Sequence, residues 1–155
     1  MMMTWHEFAT EAPELATAVR ARFEAATHHV LATLRAGGAP RVSGTEVQYK
    51  DPDLWLGSMS GAVKARDLQR DGRFALHAHP GDPDGGSMLE HGDAKLSGVA
   101  VEEGEDAKRA AFQEGEVPHA FRLLLTEAVL TSVEDDQLVI RSWRAGAGTS
   151  EVRRT

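Results

Sequence analysis

From position 28 onward the apolar residues recur at every second place, in short runs divided by tight-turn signals. A two-residue period sends successive side chains to opposite faces of an extended chain, so the pattern demands sheet. Residues 28–35 alternate in this way, with Val30, Ala32 and Leu34 on one face and Leu31 and Thr33 on the other. Gly37-Gly38-Ala39-Pro40 is a turn, and residues 41–50 make a second strand, so the two form a hairpin. Asp51-Pro52-Asp53 turns the chain into a short strand over 54–57. Residues 73–79 follow, with Phe74, Leu76 and Ala78 on one face. Strands over 94–102, 121–133 and 138–143 complete six or seven, with Asp135-Asp136 as the turn between the last two.

Helical spacing is confined to a few places. Thr4 with Glu7 fits a capping box, and Trp5 and Phe8 give that short helix an apolar side. Thr10 and Pro13 open a second helix that ends near Thr27, with Leu15, Val19, Phe23 and Ala26 at helical spacing. Short helices are expected over 62–70, with Leu68 and either Val63 or Ala65 facing inward, and over 105–114. The stretch 80–86 is rich in Pro, Gly and Asp and reads as a surface loop, and 146–155 reads as a tail without a core pattern. A doubly wound parallel sheet needs a long helix after nearly every strand, which this chain lacks. An antiparallel sheet closed as a barrel suits short strands and tight turns, because closure removes exposed edges.

Composition narrows the chemistry. At 155 residues the chain is one domain, 1–155, with 1–11 as an N-terminal extension. It holds no cysteine, which excludes disulfides, Cys-ligated metals and thiol nucleophiles. The net charge of −7 argues against general nucleic-acid binding, and no apolar run is long enough to span a membrane as a helix. The N-terminus lacks the layout of a secretory signal, so a cytoplasmic protein is expected.

Two segments could carry a ligand. In Gly57-Ser58-Met59-Ser60-Gly61-Ala62-Val63-Lys64 a strand gives way to a helix. Helix N-termini offer unpaired N–H groups to anions; Ser58 and Ser60 add hydroxyls, and Lys64 adds a full charge. Together they could hold a phosphate monoester. The same residues also suit an ordinary helix start with Ser60 as its cap. In Arg41-Val42-Ser43-Gly44-Thr45 small residues would let a flat ligand lie against the backbone, with Arg41 as a phosphate fork, or the segment is a plain strand bent at Gly44. His77 and His79, two apart on a strand, share a face, but adjacent His28 and His29 diverge and no His-Glu-x-x-His helix exists; no metal site is expected. No catalytic side chain is assigned.

The order of these segments resembles the pyridoxamine 5′-phosphate oxidase-like family of FMN-binding split barrels. The likeness runs over 12–144: a helix, a hairpin with Gly-Gly-Ala-Pro-Arg-Val-Ser, Leu-Trp-Leu-Gly-Ser, Lys64-Ala65-Arg66-Asp67-Leu68, and Arg70-Asp71-Gly72-Arg73-Phe74-Ala75-Leu76. The resemblance implies a mainly β (α+β) fold, a six-stranded antiparallel Greek-key split barrel with an N-terminal helix and short connecting helices. It implies a homodimer with FMN at the subunit interface and hydride or electron transfer with a small-molecule substrate. By the same resemblance Lys64 and nearby Ser58 match the phosphate site, with Gly57, Met59 and Val63 around it. Arg41 matches the family's arginine, Val42, Ser43, Gly44 and Thr45 match the residues along the flavin ring, and Trp143 matches a tryptophan that approaches the flavin from the partner. The final segment, Val139-Ile140-Arg141-Ser142-Trp143-Arg144, keeps only the tryptophan of the true oxidases' substrate signature. Relatives that use the deazaflavin F420, and non-catalytic flavin or haem binders, are the alternatives.

Overall fold

The computed structural model describes residues 1–80, 91–112 and 117–155. The element order is α1 (Trp5–Glu11), α2 (Pro13–Glu24), β1 (His29–Leu34), β2 (Pro40–Thr45), β3 (Val47–Lys50), β4 (Asp53–Ser58), α3 (Val63–Arg70), β5 (Arg73–His77), β6 (Asp93–Glu102), α4 (Glu105–Ala111), β7 (His119–Glu134), β8 (Gln137–Arg144) and β9 (Gly148–Arg154). All but the first residue of the expected loop at 80–86, and the end of the acidic helix at 113–114, lie outside the described residues. Among the described residues no helix is long and apolar enough to cross a membrane.

The strands form one antiparallel sheet in the order β2-β1-β5-β6-β7-β4-β3, with β8 on β7 and β9 on β8. The expected strand over 41–50 is interrupted at Glu46: β2 pairs with β1, whereas β3 pairs with β4. These two halves are therefore the opposite ends of the barrel sheet, joined through one residue. The sheet must curl until its ends nearly meet, which leaves a split between β2 and β3. Counting the interrupted strand once, the barrel has the six strands expected. The 16-residue β7 is its spine, bonded to β6 along most of one edge and, on the other, to β4 over its first part and to β8 over its second. The register of β6 on β7 shifts between Ser97 and Gly98. A Cβ on Gly98 would lie 1.8 Å from the Leu124 carbonyl oxygen, so only glycine lets the two backbones approach there. Asp135 and Asp136 both take positive φ, as a two-residue hairpin of this hand requires.

The inner face packs Leu31, Leu54, Leu56, Leu76, Leu96, Phe121, Leu123 and Leu125 into one core, closed by Trp5 and Phe8 of α1 and Leu15, Val19 and Phe23 of α2. The capping box of α1 forms in both directions: Thr4 N–H donates to Glu7 Oε1, and Glu7 N–H donates to Thr4 Oγ1. Thr10 belongs to α1 and donates to the His6 carbonyl, so it does not open α2, which stops at Glu24, short of Thr27. On β1 the buried face is His29, Leu31 and Thr33, and Val30 is 38% exposed. Both faces of β1 are apolar, so the period alone does not say which one turns inward. The expected tail is instead an edge strand: Gly148–Arg154 pairs along the length of β8. Its side chains are largely exposed, which is why it carries no core pattern.

His29 ties three elements together. It is 3% exposed, its ring packs edge-on against Phe23 of α2, and its Nδ1 accepts the His79 N–H at 3.0 Å. Burial holds the imidazole below its ordinary value, against the pull of the Phe23 and Ala26 carbonyls. The unfolded chain therefore takes up this proton first. The stability His29 contributes is complete above the ordinary histidine value, about 6.5, and is lost as pH falls below it. Urea unfolding at pH 7.5 and 5 will show a lower midpoint in acid, and a His29→Gln variant will show a smaller difference between the two.

Candidate functional site

The site begins with the alternation of β2. Arg41, Ser43 and Thr45 turn toward α3, whereas Val42 and Gly44 turn outward, Val42 being 71% exposed. α3 crosses this strand because its buried side carries Ala65, Asp67 and Leu68; Val63 is exposed, so Ala65 fills the inward place with Leu68.

Asp67 is the fixed point. Its carboxylate is 2% exposed and accepts from Thr33 Oγ1 at 2.7 Å, Arg41 Nε at 2.8 Å and Arg70 Nη2 at 2.8 Å. Burial alone would raise this carboxyl, but the donors from Thr33, Arg41 and Arg70 outweigh it and hold it below its usual range. Arg41 is thus held through Nε, and its terminal nitrogens have no partner among the described residues. One turn earlier, Lys64 Nζ donates to the Gly44 carbonyl at 2.8 Å. Burial pushes the Lys64 ammonium below its ordinary value, and Glu46 pulls the other way. Lys64 and Asp67 are three apart, so α3 is bound to β2 at two points on one helix face.

No side chain caps α3. Ala62 is the N-cap, and Ser60, expected there, is exposed and two residues early. Gly61 at φ +75 turns the chain, and no atom lies within 4 Å of where its Cβ would be. The first amides of α3 therefore have no partner inside the helix. Ser58 is 6% exposed, and its hydroxyl reaches only the Met59 carbonyl, at 3.4 Å. The Ser43 hydroxyl is buried with no hydrogen-bond partner, and the space above Gly44 is open. A cleft of about 280 Å³ joins the split to the end of β4, between Glu46, Gln48, Ser58, Met59, Phe112 and Val117. Gly57 borders it, but a Cβ there would meet Val117 Cγ1 at 2.7 Å, so its outer side is covered.

Of the expected site residues the fold thus gathers Arg41, Ser43, Gly44, Thr45 and Lys64 at the crossing of β2 and α3. It sets Gly57, Ser58 and Met59 at the adjoining end of β4, leaves Val42 and Val63 exposed beside them, and places Trp143 elsewhere. That residue is fully buried, its ring 4.6 Å from Phe8, with Nε1 unpartnered. Helix α1 of the same chain covers it, so no ligand outside the barrel touches it. Asp67 carries no site signal of its own in the sequence beyond the buried phase it shares with Ala65 and Leu68.

The histidines do not form a cluster. β5 ends at His77, so His79 is not its strand neighbour. His77 Nε2 pairs with Asp93 at 2.7 Å, and His28 pairs with Glu46. Among the described residues no three His, Asp or Glu side chains converge as a metal would require.

Asp67→Asn keeps the shape but removes the charge that two arginines share. Arg41 and Arg70 reach water, so the loss stays below that of a fully buried pair, at about 2–3 kcal/mol. Urea unfolding of the variant at pH 7 measures it.

No protein-family model matches the chain, and no curated protein sequence does. Solved structures do. PhzG from Burkholderia lata, in complex with tetrahydrophenazine-1-carboxylic acid, superposes with a TM-score of 0.65 at 16% identity, over 97% of this chain and 92% of its own. A candidate pyridoxamine 5′-phosphate oxidase from Listeria innocua gives 0.55 at 14% identity, over 74% and 95%. HutZ, the haem storage protein of Vibrio cholerae, gives 0.54 at 17% identity, over 74% and 89%. At these identities the likeness is one of architecture, and the chain has the split-barrel fold of pyridoxamine 5′-phosphate oxidase-like proteins.

Proposed function

We propose that this chain binds FMN at the crossing of β2 and α3 and acts, as a homodimer, as a flavin-dependent oxidoreductase on a small molecule. The observation that carries the reading is a set of donors gathered at one crossing. The uncapped start of α3, the Lys64 ammonium on the Gly44 carbonyl and the free end of Arg41 meet there, with the Ser43 hydroxyl buried and unpartnered between β2 and α3 and open space over Gly44 on the strand's other face. That donor set suits an anion joined to a flat ring, and the residues present fit the cofactor on this test.

When bound, FMN supplies hydride and electron transfer. The chain supplies position and charge. The α3 amides, Ser58 and Lys64 would hold the phosphate. Arg41 stays aimed because Asp67 fixes its Nε. Val42 to Thr45 would lie along the ring, since β2 is an end strand and its unpaired edge offers backbone donors and acceptors. Gly57, Met59 and Val63 would border the same opening.

The dimer reading rests on the outer face of the sheet. Val30 and Val42 are exposed there, and with Ala32, Ala75 and Val129 they surround an apolar hollow of about 310 Å³. A second copy would cover that face and finish the groove beside Val42.

Purified protein incubated with FMN and gel-filtered will carry oxidised-flavin absorbance at one flavin per chain and elute as a dimer. Lys64→Met will weaken FMN binding about tenfold or more while leaving riboflavin affinity nearly unchanged. Uptake of F420 alone, a Soret band, or a chain that takes up no cofactor would each overturn the FMN reading.

A further inference from the structure

The cleft at the split has a lining that the cofactor alone does not explain. It opens directly after the segment proposed to follow the ring, since Glu46 succeeds Thr45 and lines it. From there it runs over the outer face of β3 and β4. Val47 and its register partner Leu56 face the core, so Gln48, its partner Trp55 and, by alternation, Gly57 face outward. Trp55 holds the far wall in place. It packs with Ala111 of α4 and Ala120 of β7, and the Phe112 ring stands edge-on to it at 6.3 Å. A Cβ on Gly57 would lie 2.7 Å from Val117 Cγ1 and 3.4 Å from Phe112 Cε1, so glycine there lets both side chains settle on the strand. The wall is thus a second apolar cluster and not a loose cover.

Two polar groups meet this apolar surface, and both offer acceptors. Gln48 Nε2 donates to the Ala111 carbonyl at 2.6 Å. A carbonyl only accepts, so this bond sets the direction of the amide and leaves Oε1 without a partner among the described residues. Glu46 pairs with His28 at 3.3 Å, and both side chains are largely exposed, so a ligand can displace that contact at little cost. Lys64 feels the charge of Glu46, but its ammonium is bound to the Gly44 carbonyl. Among the described residues that line the cleft there is no Lys, Arg or His. An anion entering it would shed water and gain no opposite charge, whereas an N–H group or an ammonium would find two acceptors.

We propose that this cleft receives the substrate of the flavin chemistry, and that the substrate is a small apolar molecule, neutral or cationic, whose N–H or O–H group is taken by Gln48 Oε1 and Glu46. The inference rests on the FMN reading and adds to it a substrate class. At about 280 Å³ the cleft holds one or two rings. Phe112, Val117 and Met59 supply the apolar contact, and Glu46 and Gln48 decide which polar group the ring can carry. On the FMN reading Lys64 is committed to the phosphate, so it recruits no second anion. Glu46 and Gln48 are then the specificity-determining residues, since a substrate lacking a donor would leave both acceptors unmet.

The test uses three probes built on one ring system: tryptamine, a cation; indole-3-acetamide, a neutral donor; and indole-3-acetate, an anion. Their affinities for the FMN-loaded protein are measured at pH 7 by isothermal titration calorimetry in the wild type, Glu46→Gln and Gln48→Met. The wild type will bind tryptamine and indole-3-acetamide each about tenfold or more tighter than indole-3-acetate. Glu46→Gln will weaken tryptamine about fivefold or more relative to the amide. Gln48→Met keeps the length and removes the acceptor, and it will weaken the amide about fivefold or more relative to the acetate. Ratios between probes are read within each protein, so a loss of folded material cannot imitate either result. Acetate that binds as tightly as the other two, no binding of any probe, or variants that keep the wild-type ratios would each overturn this inference and leave the FMN reading standing. Protein that takes up no FMN overturns the cofactor reading and this inference with it.

Discussion

The carboxylate of Asp67 is the contact on which the candidate site depends. It is almost fully buried, and it receives hydrogen bonds from β1, β2 and α3 together. A buried carboxylate without donors costs several kcal/mol, so these elements are held at the distances that satisfy it. The consequence reaches beyond stability. With α3 locked over β2, Lys64 reaches the Gly44 carbonyl, and the uncapped start of the helix is turned toward the end of β4. The opening is a result of the clamp rather than a gap left by poor packing.

A second constraint acts at Glu46. Because β2 and β3 end opposite sides of the barrel sheet yet follow each other in the chain, the sheet has one curvature available to it, and the split falls beside the clamp. Unpaired backbone at a sheet edge is usually a hazard. Here α3 shields part of the β2 edge, and the remaining exposed stretch coincides with the small residues Ser43 and Gly44. The apolar outer face, bearing Val30 and Val42, begins at the same strand. On the proposed reading, cofactor groove and dimer face would share β2, which would link occupancy of one to formation of the other.

What could be read in the sequence was whatever local chemistry decides. The Thr4 and Glu7 cap, the Asp135-Asp136 turn and the buried side of β5 at Phe74 and Leu76 each follow from neighbouring residues alone. Long-range choices were not legible. Residues 41–50 alternate without a Gly or Pro at Glu46, so nothing local marks the change of partner there. β1 is apolar on both faces, and only the packing of α2 decides that Leu31 goes inward. β9 adds no core residue, so its pairing with β8 leaves no trace in the pattern. The resemblance puts Trp143 beside the flavin, but α1 lays Phe8 against its ring. Within the site, small and basic residues were visible because their types are unusual in a strand and at a helix start. Asp67 was not, because its importance lies in partners 26 and 34 positions away.

Charge makes the same point about scale. The chain carries a net −7, which argues against anionic ligands when treated as a property of the whole molecule. At the crossing of β2 and α3 the balance is different. Arg41, Lys64 and Arg70 meet Asp67 and, more distantly, Glu46, which is itself drawn toward His28. The excess is positive, it is partly desolvated, and desolvated charge is screened far less than the acidic surface around it. On the proposed reading, an acidic exterior with a small cationic recess would repel a polyanion along its length and still admit a compact phosphate, so that discrimination by the size of the anion would follow from where the charges sit and not from their sum.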